Sequence, residues 1–477
     1  MLHSFIPYML LITVVSAQQI IPPSNLFRDP RFVRDFVGSY GFLSDVEPRV
    51  SMEEQEALMG IRELFDQSKF REAEAQLAAF IQETEKPTSR KKVPTEISPA
   101  MVFVMGNLYF QAGKYQDAQR SFLEAIRRFP RFRRAHTNLA YLYISQNKTN
   151  EAMPILQKAI ELGENSARIY GLLGYCHLLK KNAVAAENAY RQAYLLDATS
   201  RDWKLGLAQA LMAQEKYPES ANLIGTLIEE NANDKQLWLQ QTNAYLAMER
   251  KDDAIVNLEI MKFKGIADEA NLNLLGNLYM DQSEPQLALQ AYLAAIEKAK
   301  TLDLARALKS ARILNDYGYP EKAEEFIASI RAKAGDKLAT PDLTALLLVE
   351  VRVAQAKKDV ERTTSLLGQL TELNPADGEV LLEVARHKDQ LSRDEEDETK
   401  RGALVAEAKT NYQLAARIES VAYASNLALG QMLVRERRYS EALTNLQAAL
   451  NMKKSESLEQ YVSRVRRAAD RLEDKEK

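Results

Sequence analysis

Residues 106–130 read GNLYFQAGKYQDAQRSFLEAIRRFP. Stepping forward from this stretch by 34 residues returns the same chemistry. Small residues fall at Gly106, Ala140, Gly174, Ala208 and Gly276, with Thr242 the one larger member. Three positions later comes an aromatic residue or its substitute, at Tyr109, Tyr143, His177, Leu211, Tyr245 and Tyr279. A second small column runs Ala118, Ala152, Ala186, Ser220, Ala254 and Ala288. Four positions beyond it lies a large apolar column of Phe122, Leu156, Tyr190, Ile224, Leu258 and Tyr292. Six units match without a gap.

Close helix packing is the physical reason for such columns. A small residue on one helix admits the bulk of a large one on its neighbour, and spacings of three and four keep these positions on one face. Polar pairs at Gly113-Lys114, Asn147-Lys148, Lys181-Asn182 and Glu215-Lys216 recur at one phase and mark the turn between two helices. Each unit is therefore read as a helix pair. Such a pair exposes apolar surface on both sides and is stable only when stacked on others.

These columns resemble the tetratricopeptide repeat, a 34-residue helix-turn-helix with alternating small and aromatic columns and a terminal proline. The unit at 99–132 matches most fully, through Gly106, Tyr109, Ala118, Phe122, Ala125 and Pro130. Looser units fall at 304–337, at 344–377 with Pro375 in the proline column, and at 423–456 with Gly430, Ala442, Leu446 and Ala449. A diverged unit starts at Glu54 and carries Ala73, Leu77 and Phe80. Between 378 and 422 the columns return if about a dozen residues, RDEEDETKR among them, form an insertion between the helices. The resemblance implies an all-α, right-handed α-solenoid of about eleven helix-turn-helix pairs plus a C-terminal capping helix.

The expected organisation follows: a signal peptide at 1–17, an aromatic, Pro- and Gly-rich segment at 18–50, a diverged pair at 51–87, a linker at 88–98, six regular units at 99–302, diverged units at 303–456 with an acidic insertion near 391–402, and a cap and tail at 457–477. Ser51-Met-Glu-Glu54 and Ser457-Leu-Glu-Gln460 each predict a capping box opening a helix. In the last helix Leu458, Tyr461, Val462, Val465 and Ala469 are expected to face inward, with Arg464, Arg467 and Asp470 in water. Ser98-Pro99 predicts a cap followed by a first-turn proline. In the segment 18–50, Asp29-Pro30 is expected to start a short helix, and Phe27, Phe32, Phe36, Tyr40 and Phe42 must pack either on the first helix pairs or in a partner.

Composition narrows the function. The 477 residues are 46% hydrophobic and 27% charged, which suits an ordered protein. The 63 basic and 66 acidic residues nearly cancel, so the long-range positive field that non-specific nucleic-acid binding needs is missing. The cluster RRFPRFRRAH at 127–136 is then local: Arg127 and Arg128 favour the carbonyl end of one helix, and Arg133 and Arg134 begin the next. Catalytic patterns are absent. The four histidines, His3, His136, His177 and His387, lack metal-ligand spacing, and GNLYFQAGKY places Tyr115 where a phosphate loop needs Ser or Thr. The acidic run at 394–398 reads as a solvated loop, and the lone Cys176 as a small buried hydrophobe. No cofactor or metal is expected.

At the amino terminus an apolar run at 5–15 precedes Val15-Ser16-Ala17, which predicts export with cleavage after Ala17 and a periplasmic or secreted product with no stable membrane span.

By the family resemblance, the first helix of each pair lines a concave groove, into which its second, sixth and ninth positions look. The ninth column is Asn107, Tyr141, Tyr175, Gln209, Asn243 and Asn277, amides and phenols able to bond an extended peptide backbone. Some family members hold a carboxylate with two asparagines and three basic residues. Here Asn107, Asn138 and Arg168 fill three of those five places, Arg134 stands close by, and Phe103 and Leu172 replace the other two. The reading is a non-catalytic scaffold that binds a protein or peptide, acidic or carboxylate-bearing, in an envelope or secreted complex. An accessory subunit of a membrane energy-transducing or export machine is the alternative, and an enzyme with a site hidden in diverged loops a third.

Overall fold

The computed structural model describes residues 45–85, 96–335 and 338–476. Within them are 23 helices and no strand. The predicted signal peptide, the aromatic residues at 27–42 and most of the linker at 88–98 lie outside the described residues.

The chain divides into two compact units, 1–257 and 258–477. The first contains α1 (Met52–Asp66), α2 (Phe70–Glu85), α3 (Pro99–Gln111), α4 (Tyr115–Arg128), α5 (Arg133–Ser145), α6 (Thr149–Glu161), α7 (Ala167–Leu179), α8 (Ala183–Leu196), α9 (Arg201–Met212), α10 (Tyr217–Glu230) and α11 (Lys235–Ala247). The helix α12 (Lys251–Phe263) carries the division point. The second contains α13 (Glu269–Asp281), α14 (Pro285–Lys298), α15 (Leu304–Asp316), α16 (Pro320–Ala334), α17 (Thr340–Ala356), α18 (Val360–Leu373), α19 (Gly378–Asp394), α20 (Glu398–Ala415), α21 (Glu419–Arg435), α22 (Tyr439–Met452) and α23 (Glu456–Glu476). Among the described residues these make eleven helix pairs and a final single helix.

Within each unit the small and large columns meet as the spacing predicts. A methyl group in place of the Gly106 hydrogen would lie 2.7 Å from Phe122, at Gly276 it would lie 2.3 Å from Tyr292, and at Gly430 2.6 Å from Leu446. All three large partners are fully buried. The two helices of a pair can approach this closely only because the small column leaves no Cβ in the way.

The turns inside the six regular pairs share one geometry. Gly113, Asn147, Lys181, Glu215, Glu249 and Ser283, each 34 residues after the last, all adopt positive φ. The next amide reaches back to close the helix: Lys114 N to Tyr109 O at 2.8 Å, Lys148 N to Tyr143 O at 2.8 Å, Lys216 N to Leu211 O at 3.0 Å and Arg250 N to Tyr245 O at 2.8 Å. This bond occupies carbonyls that would otherwise be left open at the helix end. It also brings the cation after the turn over the aromatic column: Lys114 lies 5.5 Å from the Tyr109 ring centre, and Arg250 4.9 Å from that of Tyr245. The tyrosine column therefore serves the turn as well as the packing.

The ends are closed in part as expected. Ser51 and Glu54 form a reciprocal capping box, and Glu54 also accepts from the Ser98 amide at 2.7 Å, joining the start of α1 to the start of α3. Pro99 opens α3, but the Ser98 side chain makes no capping bond. The last helix begins at Glu456, so Ser455 precedes it, and Ser457, expected as the cap, lies inside its first turn. Leu458, Val462, Val465 and Ala469 are buried and Tyr461 half-buried, while Arg464, Arg467 and Asp470 are exposed. The acidic stretch near 391–402 spans the junction of α19 and α20. The extra residues lengthen α19 and α20 to 17 and 18 residues, leaving a three-residue turn at 395–397. Asp397, at the end of this exposed connection, caps α20 by accepting from the amides of Thr399 and Lys400.

Cys176 is fully buried, and burial pushes its thiol up to about 12. It is expected to resist an aromatic disulfide reagent in the native chain and to titrate as one thiol in denaturant, a colorimetric measurement.

Candidate functional site

The candidate residues start from how the first helices of the pairs align. In the first unit α3 lies beside α5, and α7 beside α9. Residues on successive first helices therefore become neighbours. Asn138 donates from Nδ2 to Oδ1 of Asn107 at 2.8 Å, and both side chains are buried. Arg134 sits one turn before Asn138 on the same side of α5. Phe103 and Leu172, which stand where further basic residues were sought, are fully buried. Phe103 packs against Phe132 and Phe122, with ring centres 4.9 and 5.8 Å away, so these two places are taken by the core.

The remaining candidates have different surroundings. Tyr141, Tyr175 and Gln209 are buried, whereas Arg168 near the start of α7 and Asn243 on α11 are half-buried. Burial holds the Tyr175 hydroxyl above its ordinary range. Asn277 belongs to the second unit, where it is half-buried and accepts from the Tyr292 hydroxyl at 2.8 Å. The structure thus brings Asn107, Asn138 and Arg134 together, and Asn277 stands apart from them in chain and unit.

One participant escaped the sequence reading. Residues 45–50 run against the start of α5: the Arg133 amide donates to the Val46 carbonyl at 3.1 Å, and the Glu47 carboxylate lies 3.5 Å from Arg134 Nε and 3.8 Å from Arg133 Nη2. Burial raises the Glu47 carboxyl above the usual range, against the pull of Arg134 and Arg133 and with a smaller push from Glu164. The adjacent arginines were the available clue, since two cations at a helix start call for a counter-charge.

The described histidines sit in structural positions. A ring nitrogen of His136 lies 3.0 Å from the Pro130 carbonyl, and one of His387 lies 2.8 Å from the Thr364 hydroxyl. Among the described residues no cluster has the makeup of a metal site, and no helix is long and apolar enough to cross a membrane. In the second unit a cavity of about 360 Å³ between α19 and α21 is lined by Arg386, Arg393, Arg435, Tyr412 and Tyr423. Its buried Asp389 accepts from Arg435 at 2.6 Å and from Arg393 at 3.0 Å, so an internal carboxylate already engages two of the arginines.

Comparison with known proteins bears on the repeats. Residues 103–167 and 143–202 match one tetratricopeptide repeat model, and residues 177–243 another. The wheat (Triticum aestivum) Hsp70-Hsp90 organizing protein is 30% identical over 147 residues, 30% of this chain and 25% of that protein. The mitochondrial import receptor subunit TOM70 of Saccharomyces cerevisiae is 31% identical over 135 residues, 26% of this chain and 21% of the receptor. The match thus spans about a quarter of the length of these curated relatives. Among solved structures, a tetratricopeptide repeat protein from Parabacteroides merdae covers 55% of this chain and 99% of its own, at 18% identity and a TM-score of 0.36. YrrB, described as a TPR protein with an unusual peptide-binding site, covers 45% of this chain and 96% of its own, at 14% identity and a TM-score of 0.34. With the 34-residue columns and the small-to-large packing, the matched span 103–243 is a run of tetratricopeptide repeats.

Proposed function

We propose that this chain is a non-catalytic adaptor that binds an extended segment of a partner protein along the first helices of its amino-terminal unit. The observation that carries the reading is the Asn107–Asn138 amide pair set one turn from Arg134. Buried and bonded to each other, the two amides fix α3 against α5, and the half-buried Arg134 beside them offers paired N–H groups to a carboxylate. The partner segment is therefore read as acidic or carboxylate-bearing. The printed descriptions of the relatives, an organizing protein for two chaperones and an import receptor subunit, favour an adaptor over an enzyme. The apolar run at 5–15 and the small residues ending at Ala17 favour an exported adaptor that organises an envelope or secreted complex.

Site-specific photo-crosslinking in the native organism tests this. A crosslinker at Arg168, on the proposed face, is expected to capture a partner, and one at Arg120, exposed on the second helix α4, is not. Asn107→Ala is expected to weaken that capture about tenfold, the effect of losing roughly 1–2 kcal/mol of polar contact. Equal capture from both positions, or capture indifferent to Asn107, would remove the groove from the reading.

A further inference from the structure

We propose that residues 45–50 act as an intramolecular ligand of the Arg133–Arg134 pair, and that an acidic partner segment binds there by displacing the Glu47 carboxylate. The inference rests on the adaptor reading above and adds its regulation.

The docking has a backbone and a side-chain component. The backbone component is the Val46 carbonyl, which accepts from the Arg133 amide at the open start of α5, where Phe132 offers no capping side chain. The side-chain component is the Glu47 carboxylate between the two guanidinium groups. That carboxylate is poorly served. Both of its oxygens are buried, and among the described residues neither accepts a hydrogen bond. A buried ion pair without hydrogen bonds recovers little of the cost of taking its charges out of water. Glu164, 3.8 Å from Arg133 Nε, competes for the same cation. A carboxylate from outside that can meet a guanidinium face to face gains the paired bonds Glu47 lacks.

Release is local. Residues 45–50 lead directly into Ser51, and the start of α1 is closed independently by the Ser51–Glu54 capping box. Lifting Glu47 therefore leaves the first helix pair capped. The vacated site lies one turn of α5 before Asn138, on the helix face proposed above to meet the partner. While Glu47 is seated, only the fraction of molecules with the segment lifted can bind, which lowers the apparent affinity by that fraction.

The test uses the full chain and a fluorescein-labelled hexaglutamate peptide, followed by fluorescence anisotropy. Glu47→Gln is expected to bind the probe about tenfold tighter than the unsubstituted chain, on the premise that the segment is seated about nine-tenths of the time. Arg134→Gln is expected to weaken binding and to abolish the gain from Glu47→Gln. Saturating probe is expected to speed hydrogen exchange at the Arg133 amide, which loses the Val46 carbonyl. The inference is overturned if Glu47→Gln binds no tighter, if its gain survives Arg134→Gln, or if exchange at Arg133 stays unchanged. A Glu47 with only a structural role would lower the melting temperature on substitution and leave binding as it was. Failure of the probe to bind either chain also ends the inference, while the crosslinking at Arg168 stands or falls independently.

Discussion

Valine in place of Gly206 is expected to unfold the amino-terminal unit at denaturant concentrations where the parent chain is fully native. A Cβ at this position would lie 2.2 Å from Cε1 of Tyr190 and 2.3 Å from its Cζ. The ring on α8 cannot retreat, because its other side meets Gly174 of α7, where a Cβ would stand 2.8 Å away. Tyr190 is 2% exposed, so it is held between the backbones of two successive first helices with no solvent side to swing toward. Overpacking a close-packed core usually costs about 1–3 kcal/mol, and a branched side chain in a site closed on both sides is placed at or above the top of that range. Urea unfolding followed by circular dichroism measures the loss. Gly206→Ala should show a smaller loss, and adding Tyr190→Leu should restore much of it by vacating the contact. A Gly206→Val chain with the parent midpoint would disprove the close seating of Tyr190 between α7 and α9.

Removing Arg331 is expected to destabilise the second unit about as strongly, by a different route. Arg331 at the end of α16 donates from Nε and Nη2 to the two carboxylate oxygens of Glu350 on α17, at 2.5 and 2.7 Å. Glu350 is 5% exposed, whereas the arginine keeps one side in water. Arg331→Met would leave a buried carboxylate with no cation, which costs roughly 3–5 kcal/mol in comparable sites. The double change Arg331→Met with Glu350→Leu is expected to return to within about 1 kcal/mol of the parent, because an apolar pair of similar size escapes the desolvation penalty. A thermal melt of the three variants separates the cases. If the single change is as stable as the double, the Arg331 pair contributes nothing to holding α16 against α17.

Much of this fold was legible because its packing is periodic. Gly174 and Tyr190 are uninformative alone, yet their return as Gly276 and Tyr292 fixes both the helix pair and the contact between its members. The turns were legible for the same reason, although the positive φ at Lys181 and Glu215 contradicts the preference of those residues. Neighbouring helices impose that geometry. Positions set by a single local contest were read less well. The run at 394–398 is largely exposed, with 395–397 outside any helix, but the capping by Asp397 and the winding of the extra chain into α19 and α20 were not read. Ser455 and Ser457 are chemically equivalent, so the start of α23 was set by packing of Leu458 and Val462. Of the candidate site, Asn107 and Asn138 were named together through the family resemblance, while the bond between them emerged only in the fold. Glu47 did not, because it lies outside the repeats and reaches Arg134 only through the fold.

The left-handed residue at the hinge of each regular pair has a consequence for how such a chain can change. An L-residue there gives up about 1–2 kcal/mol that glycine would not, yet only Gly113 among the regular hinges is glycine. These hinge residues lie at the far end of each first helix from Arg134 and Arg168. Rigidity and recognition are thereby written at separate addresses along the same rod. A lineage could stiffen or loosen individual pairs at their hinges while the face proposed to meet a partner stays untouched.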